Sequence, residues 1–312
     1  MTTSRIAFVF PGQGSQYIGM GKTLCERFRV AKEVFAEADD ALGLSLSEVC
    51  FNGPEAALKL TENTQPAILT ASLAALRVLQ SETPVRPEFV AGHSLGEYSA
   101  LVAVGALSFR DAVRVVRERG RLMQQAVPVD QGAMAVILGL AVDSVRALCA
   151  EASHGEVVAP ANYNGGGQVV IAGTKSAVAR ATALAKQAGA KRVLDLAVSA
   201  PFHCELMRSA ADELQQILNG IAVHPFGIGV VTNVDAEVNL DAGRVKSLLV
   251  EQVVRPVRWE ESVQRLAALG CHRVIEIGPG KVLKGLIKRI EPSVEVVNFE
   301  APEDLPNVTP HP

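Results

Sequence analysis

Gly92-His93-Ser94-Leu95-Gly96 lies between a short apolar run over 88–92 and a segment of helical period over 95–104. A strand that passes through G-x-S-x-G straight into a helix leaves few architectures open, because strand and helix must then pack as neighbouring layers of an α/β fold. On such a turn the flanking glycines permit a tight bend, the serine oxygen stands above the sheet, and the N–H of the next residue points toward a developing oxyanion. Ser94 is therefore the candidate nucleophile and the Leu95 amide a candidate oxyanion donor.

The rest of the chain reads as the same class. A β-rich run over 6–10 ends at Pro11-Gly12, and helical periods follow over 16–42, 65–80 and 110–126. From Gly132 the rhythm changes to strand (133–138), helix (143–152), strand (157–163), strand (168–172), helix (176–188) and strand (192–198). Asn164-Gly165-Gly166-Gly167 supplies the positive-φ positions that the central hairpin needs. This β-α-β-β-α-β order predicts a ferredoxin-like subdomain over 128–197. Beyond it the alternation resumes, with helices over 204–218, 244–254, 260–269 and 281–290 and strands over 228–232 and 273–277. The larger domain is thus expected to be discontinuous, 1–127 with 198–300, built on a mostly parallel sheet covered by helices on both faces. Residues 301–312, with four prolines, are expected to form a loose tail.

Composition narrows the functional classes. With 312 residues and 48% hydrophobic content the chain can bury a sizeable core. Its 33 acidic and 30 basic side chains leave a formal charge of −3, which offers no global electrostatic case for nucleic acid or a membrane surface as partner. The apolar run at 6–10 is too short for a signal segment, and no stretch reaches the eighteen or so apolar residues of a membrane helix. Five cysteines without a C-x-x-C pair argue against a disulfide framework and a zinc knuckle, so a reducing cytoplasm is the expected compartment.

A serine nucleophile needs a base. Of six histidines, His93 is the covalent neighbour of Ser94 and its side chain should diverge from it, while His311 lies in the tail. His154, His224 and His272 fall in expected turns or at strand edges. His203 stands where the chain re-enters the larger domain ahead of a helix, a cleft position that suits either a base or a capping and packing role. No Asp or Glu announces itself as a third member, so a dyad with the imidazole oriented by a backbone carbonyl stands beside a triad. The Gly-rich decoys fail. A third Rossmann glycine would fall at Tyr17, and a Walker A loop ending at Gly21-Lys22-Thr23 would need glycine at Gln16. Gly278-Pro279-Gly280 reads as a tight strand-to-helix turn rather than an anion cradle.

Several motifs in order resemble one family: Phe10-Pro11-Gly12-Gln13-Gly14-Ser15-Gln16, Gly92-His93-Ser94-Leu95-Gly96-Glu97, Arg119-Gly120 with Met123, Ala161-Asn162-Tyr163-Asn164, Pro201-Phe202-His203 and Glu276-Ile277-Gly278-Pro279-Gly280. The chain is similar nearly end to end to the malonyl-CoA:acyl carrier protein transacylases of fatty-acid synthesis and the acyltransferase domains of polyketide synthases. The resemblance implies an α/β-hydrolase-like large domain interrupted by a ferredoxin-like one. It implies Ser94 as the acylated nucleophile, His203 as its base, Gln13 and the Leu95 amide as the oxyanion hole, and the main-chain carbonyl of Gln252 as the group that orients the histidine. Arg119 resembles the arginine that binds the malonyl carboxylate, with Met123, Asn162 and Phe202 as further substrate-binding residues. No metal and no bound cofactor is implied. Malonyl-CoA would be the substrate and the phosphopantetheine of an acidic acyl carrier protein the transient acceptor, served by a monomeric enzyme.

Lys281, Lys284 and Lys288 recur at i, i+3, i+7 beside Arg289, which suits either a solvated helix face or docking of that carrier through Lys284, Lys288 and Arg289. Three other readings share the motifs: a carrier of polyketide synthesis or malonate decarboxylation, a serine thioesterase or other hydrolase with water as acceptor, and a non-catalytic interaction protein. Arg119 speaks against the hydrolase, and intact Ser94 and His203 speak against the last.

Overall fold

In the computed structural model, which describes residues 5–196 and 200–309, strand β1 (Arg5–Phe10) turns buried after its first two residues and stays so to its end. Its alternate side chains go opposite ways. Ala7 and Val9 join a cluster with Trp259, Leu283 and Ile287, whereas Phe8 and Phe10 join one with Ile68, Leu76 and Tyr98. A strand apolar on both faces must be covered on both, and helices supply that cover here.

β2 (Phe89–Gly92) lies parallel to β1, with Gly92 opposite Phe10. Then come β3 (Gly132–Leu138), β4 (Val158–Gly165), β5 (Gln168–Thr174) and β6 (Arg192–Asp195), followed by β7 (Gly229–Val231), β8 (Val238–Asn239), β9 (Cys271–Ile277) and β10 (Glu295–Phe299). One sheet has the order β10-β9-β1-β2-β7-β8, parallel throughout except for β8 against β7. The other is antiparallel, β4-β5-β3-β6, with helices Val142–Ser153 and Lys175–Gln187 packed against its strands. The chain is therefore a mixed α/β fold with a mostly parallel sheet and a separate antiparallel one. Backbone bonds from Tyr163 N to Val257 O and from Val257 N to Ala161 O, both 2.9 Å, tie β4 to the segment entering helix Trp259–Ala268.

Three expectations need correction. The helix expected over 16–42 begins only at Lys22, because Gly19 and Gly21 hold left-handed φ values of 100° and 78°, and it breaks at Phe28, whose backbone is extended at φ −127° and ψ 122°, giving Lys22–Arg27 and Arg29–Leu42. Short helices Leu46–Asn52 and Glu55–Lys59 and strand β10 were not expected at all. The tail expected to be loose over 301–312 is packed through its described part. Pro302–Asp304 and Leu305–Val308 are helical turns, Asp304 Oδ2 accepts from the N–H groups of Glu300 and Ala301 at 3.0 Å each, and Val308 is fully buried. Prolines at a helix start cost no hydrogen bond, so they do not mark disorder there. The last strand expected over 192–198 ends at Asp195, and 197–198 lie outside the described residues.

Candidate active site

Parallel strands end together, so Gln13 after β1, Ser94 after β2 and Asn233 after β7 gather at one edge of the sheet. The turn at Ser94 is tight enough to require both of its glycines. A Cβ on Gly92 would stand 1.9 Å from the Gly96 carbonyl carbon, and one on Gly96 would stand 2.1 Å from the Phe10 carbonyl oxygen. Ser94 itself sits at φ 50°, a left-handed backbone conformation costly for a side-chain-bearing residue and typical of functional turns. Leu95 caps helix Gly96–Ala103, so its amide is one of the N–H groups that the first helical turn leaves without an intrahelical partner.

His203, also left-handed at φ 60°, brings Nε2 to 2.8 Å from Ser94 Oγ. Its Nδ1 lies 2.7 Å from the Gln252 main-chain oxygen. A carbonyl only accepts, so Nδ1 carries the proton and Nε2 is left to accept from the serine hydroxyl. Burial, with the Arg119 charge adding to it, lowers the imidazole from its usual 6.5 to about 3, so it is neutral near neutral pH.

Arg119, on helix Phe109–Gln125, is 1% exposed. Its Nη2 donates to Ser94 Oγ at 3.1 Å and to Gln252 Oε1 at 2.9 Å, and Nη1 donates to Gln65 Oε1 at 2.7 Å. Nε has no hydrogen-bond partner among the described residues. Each of those partners is neutral, and among the described residues no ion pair includes Arg119. Burial lowers its pKa, yet a guanidinium stays charged at any ordinary pH. A buried cation whose direct hydrogen-bond partners are all neutral can accept an anion from outside the chain.

A cavity of about 120 Å³ opens at this point. Gln13, Ser94, Arg119, Met123, Asn162, Phe202 and His203, all singled out in the sequence, border it, and Gln252 stands behind Arg119 and His203. Lys284, Lys288 and Arg289 lie on helix Val282–Ile290, Lys288 and Arg289 exposed and Lys284 half-buried, with Arg289 donating to Gln168 Oε1 at 3.3 Å. Gly278-Pro279-Gly280 is the turn between β9 and that helix, and the Glu300 carboxylate already occupies the Gly280 N–H at 2.7 Å.

Sequence reasoning missed three polar residues of the site, Gln65, Asn233 and Glu97. Gln65 holds Arg119 as described. Asn233 accepts from Ser94 N at 2.7 Å and donates to Gly92 O at 2.6 Å, bracing the turn from both sides. Glu97, 1% exposed, accepts from Gln252 Nε2 at 2.7 Å and Asn233 N at 3.1 Å. Burial raises its carboxyl from 4.5 to about 7, with the Gln252 bond working the other way. His93 turns from Ser94 and pairs through Nε2 with Asn164 Oδ1 at 3.0 Å. Among the described residues no group of three or more His, Cys, Asp or Glu could hold a metal ion, and no helix is long and apolar enough to cross a membrane.

Comparison with known proteins follows the same line. The family described as acyl transferase domain matches residues 7–299. A protein of Bacillus subtilis (strain 168) named malonyl CoA-acyl carrier protein transacylase is 48% identical over 303 residues, 97% of this chain and 95% of its own length. A crystal structure of an acyl carrier protein S-malonyltransferase from Vibrio cholerae O1 biovar eltor superposes with a TM-score of 0.96 at 48% identity, covering 98% of this chain and 100% of that one. A type II PKS acyl-carrier protein in complex with its malonyl-transacylase gives 0.95 at 47% identity, covering 97% and 98%.

Proposed function

Since the chain belongs to the acyl transferase domain family, we propose that it moves a malonyl group from malonyl-CoA to the phosphopantetheine thiol of an acyl carrier protein, through a malonyl-serine intermediate, in fatty-acid synthesis. The observation that carries this reading is Arg119: a buried cation with neutral partners, 3.1 Å from the nucleophile. Its free face suits a carboxylate, which a planar guanidinium binds through two parallel hydrogen bonds. An acetyl group would leave it desolvated and unpaired.

The chemistry runs in two balanced halves. Ser94 Oγ attacks the thioester carbonyl as its proton passes to His203 Nε2, and the tetrahedral oxyanion is stabilised by Gln13 and the Leu95 amide, at roughly 3 kcal/mol per donor. The carbon–sulfur bond breaks, His203 returns the proton to the CoA thiolate, and malonyl-Ser94 remains. The carrier thiol then gives its proton to His203, attacks the ester, and leaves as malonyl thioester while Ser94 recovers the proton. The Gln252 carbonyl, 2.7 Å from His203 Nδ1, holds the imidazole in the needed tautomer at both stages. Met123, Asn162 and Phe202 wall a cavity whose volume of about 120 Å³ suits a short acyl group.

No metal or bound cofactor enters this scheme. The enzyme acts as a cytoplasmic monomer, and Lys284, Lys288 and Arg289 dock the acidic carrier. A polyketide carrier is a second acceptor, favoured by the complex of a type II PKS acyl-carrier protein with its malonyl-transacylase. Steady-state transfer from malonyl-CoA to a holo acyl carrier protein tests the scheme: parallel double-reciprocal lines and a malonyl-carrier product are expected. CoA release at the same rate with and without carrier, and no malonyl-carrier product, would mean that water is the acceptor.

A further inference from the structure

The amide of Gln252 can point only one way. On one side it meets three acceptors, Glu97 Oε2 at 2.7 Å, Ser94 O at 3.0 Å and Asn233 Oδ1 at 3.2 Å. Asn233 Oδ1 is itself fixed as an acceptor, because Ser94 N donates to it and the Asn233 Nδ2 end donates to Gly92 O. On the other side stands Arg119 Nη2, a donor, at 2.9 Å from Oε1. Reversing the carboxamide would set its oxygen against three oxygens and its N–H groups against a cation. The shortest of the three acceptor contacts, and the one to an ionisable group, is Glu97, and hydrogen bonds to a carboxylate are roughly twice as strong as neutral ones.

Glu97 lies on the helix that follows the nucleophile turn, Gly96–Ala103, and reaches back beneath it to Asn233 and Gln252. A carboxylate touching Arg119 directly would compete for the face that the substrate needs. With the Gln252 carboxamide between them, Glu97 braces the cation from behind and leaves its front open. We propose that Glu97 is a positioning residue for recognition of the acyl carboxylate: by fixing the Gln252 carboxamide it holds the Arg119 guanidinium beside Ser94 Oγ. This rests on the malonyl-transfer reading. The mechanism gives Glu97 no proton to carry, and it does not border the cavity.

The test compares two acyl donors at pH 8 in the wild type, Glu97→Gln and Glu97→Asp: malonyl-CoA, which needs Arg119, and p-nitrophenyl acetate, a neutral ester that needs only Ser94 and His203. In Glu97→Gln the malonyl-CoA KM should rise about tenfold or more, and malonyl kcat/KM should fall at least tenfold further than ester acylation. Glu97→Asp, which keeps an acceptor-only carboxylate but withdraws it by one methylene, should fall in between. It carries the test alone if Glu97→Gln does not fold. Malonyl and ester reactivity falling in parallel, or an unchanged malonyl-CoA KM in a folded variant, would overturn the positioning role while leaving malonyl transfer intact. A wild type that forms no malonyl-enzyme would remove the functional reading and this one together.

Discussion

His203 Nδ1 donates to the main-chain oxygen of Gln252 at 2.7 Å, so the base is oriented by a peptide carbonyl and not by a carboxylate. No side-chain substitution deletes that acceptor. Gln252→Ala should therefore keep ester acylation within roughly tenfold of wild type, since the backbone still holds the imidazole, whereas His203→Ala should lose about 10³-fold. Equal losses in the two variants, read by stopped-flow acylation with p-nitrophenyl acetate, would contradict this division of labour.

Arg119→Ala should invert the choice of acyl donor. Loss of a desolvated, charge-assisted pair costs on the order of 3 kcal/mol, or about 10²-fold in malonyl kcat/KM. Acetyl-CoA, with no charge to lose, should be affected far less. Arg119→Lys should recover little, because an ammonium cannot reproduce the planar fork. Competition between the two CoA esters, resolved by mass spectrometry of the acyl-enzyme, reads this directly.

The pH dependence has a definite sign. His203, lowered to about 3 by burial, stays neutral and competent down to mildly acidic pH. In Glu97→Gln, where the carboxyl otherwise titrating at about 7 is absent, acylation should show no acid limb near the ordinary histidine value of 6.5. A limb centred there would mean that the imidazole is solvated.

Stability follows from the same two groups. The unfolded chain binds a proton at His203 below 6.5 that the folded chain refuses until about 3, so this stabilisation is complete above 6.5 and is lost as pH falls through that window. Glu97 works oppositely. Its folded carboxyl holds a proton up to about 7 while the unfolded one releases it near 4.5, so its contribution is present at low pH and is lost as pH rises through 7. Relative to wild type, Glu97→Gln should therefore gain stability between pH 4.5 and 8, by up to roughly 3 kcal/mol. A difference in Tm that does not change with pH, followed by circular dichroism, would refute the buried carboxyl.

Much of this was legible locally. Gly92 and Gly96 announce a bend that only glycine allows, and Asn164 through Gly167 punctuate a hairpin between alternating strands, so the nucleophile turn and the antiparallel sheet could be read from neighbours in sequence. What could not be read depends on partners far along the chain. Among the described residues β10 pairs only with β9, and it carries a buried Asn298, whose Nδ2 donates to Glu276 Oε2 at 2.8 Å; an isolated polar residue in a five-residue run gives no strand signal. Gln65, Glu97 and Asn233 are single polar residues whose roles arise from contacts such as Gln252 Nε2 to Glu97 Oε2, 155 residues apart. Periodicity carries no trace of such contacts. The packed segment around Val308 was hidden because proline marks where a helix can start as readily as where one is absent.

Ser94, hydrogen-bonded to the buried His203 and beside the buried Arg119, should form a malonyl-serine. Intact mass of the protein after brief exposure to malonyl-CoA, and separately to acetyl-CoA, with Ser94→Ala as control, measures it most directly. A malonyl adduct on the wild type alone, with acetyl weak or absent, is the predicted result. Free CoA released without any adduct, or equal labelling by both esters, would contradict it.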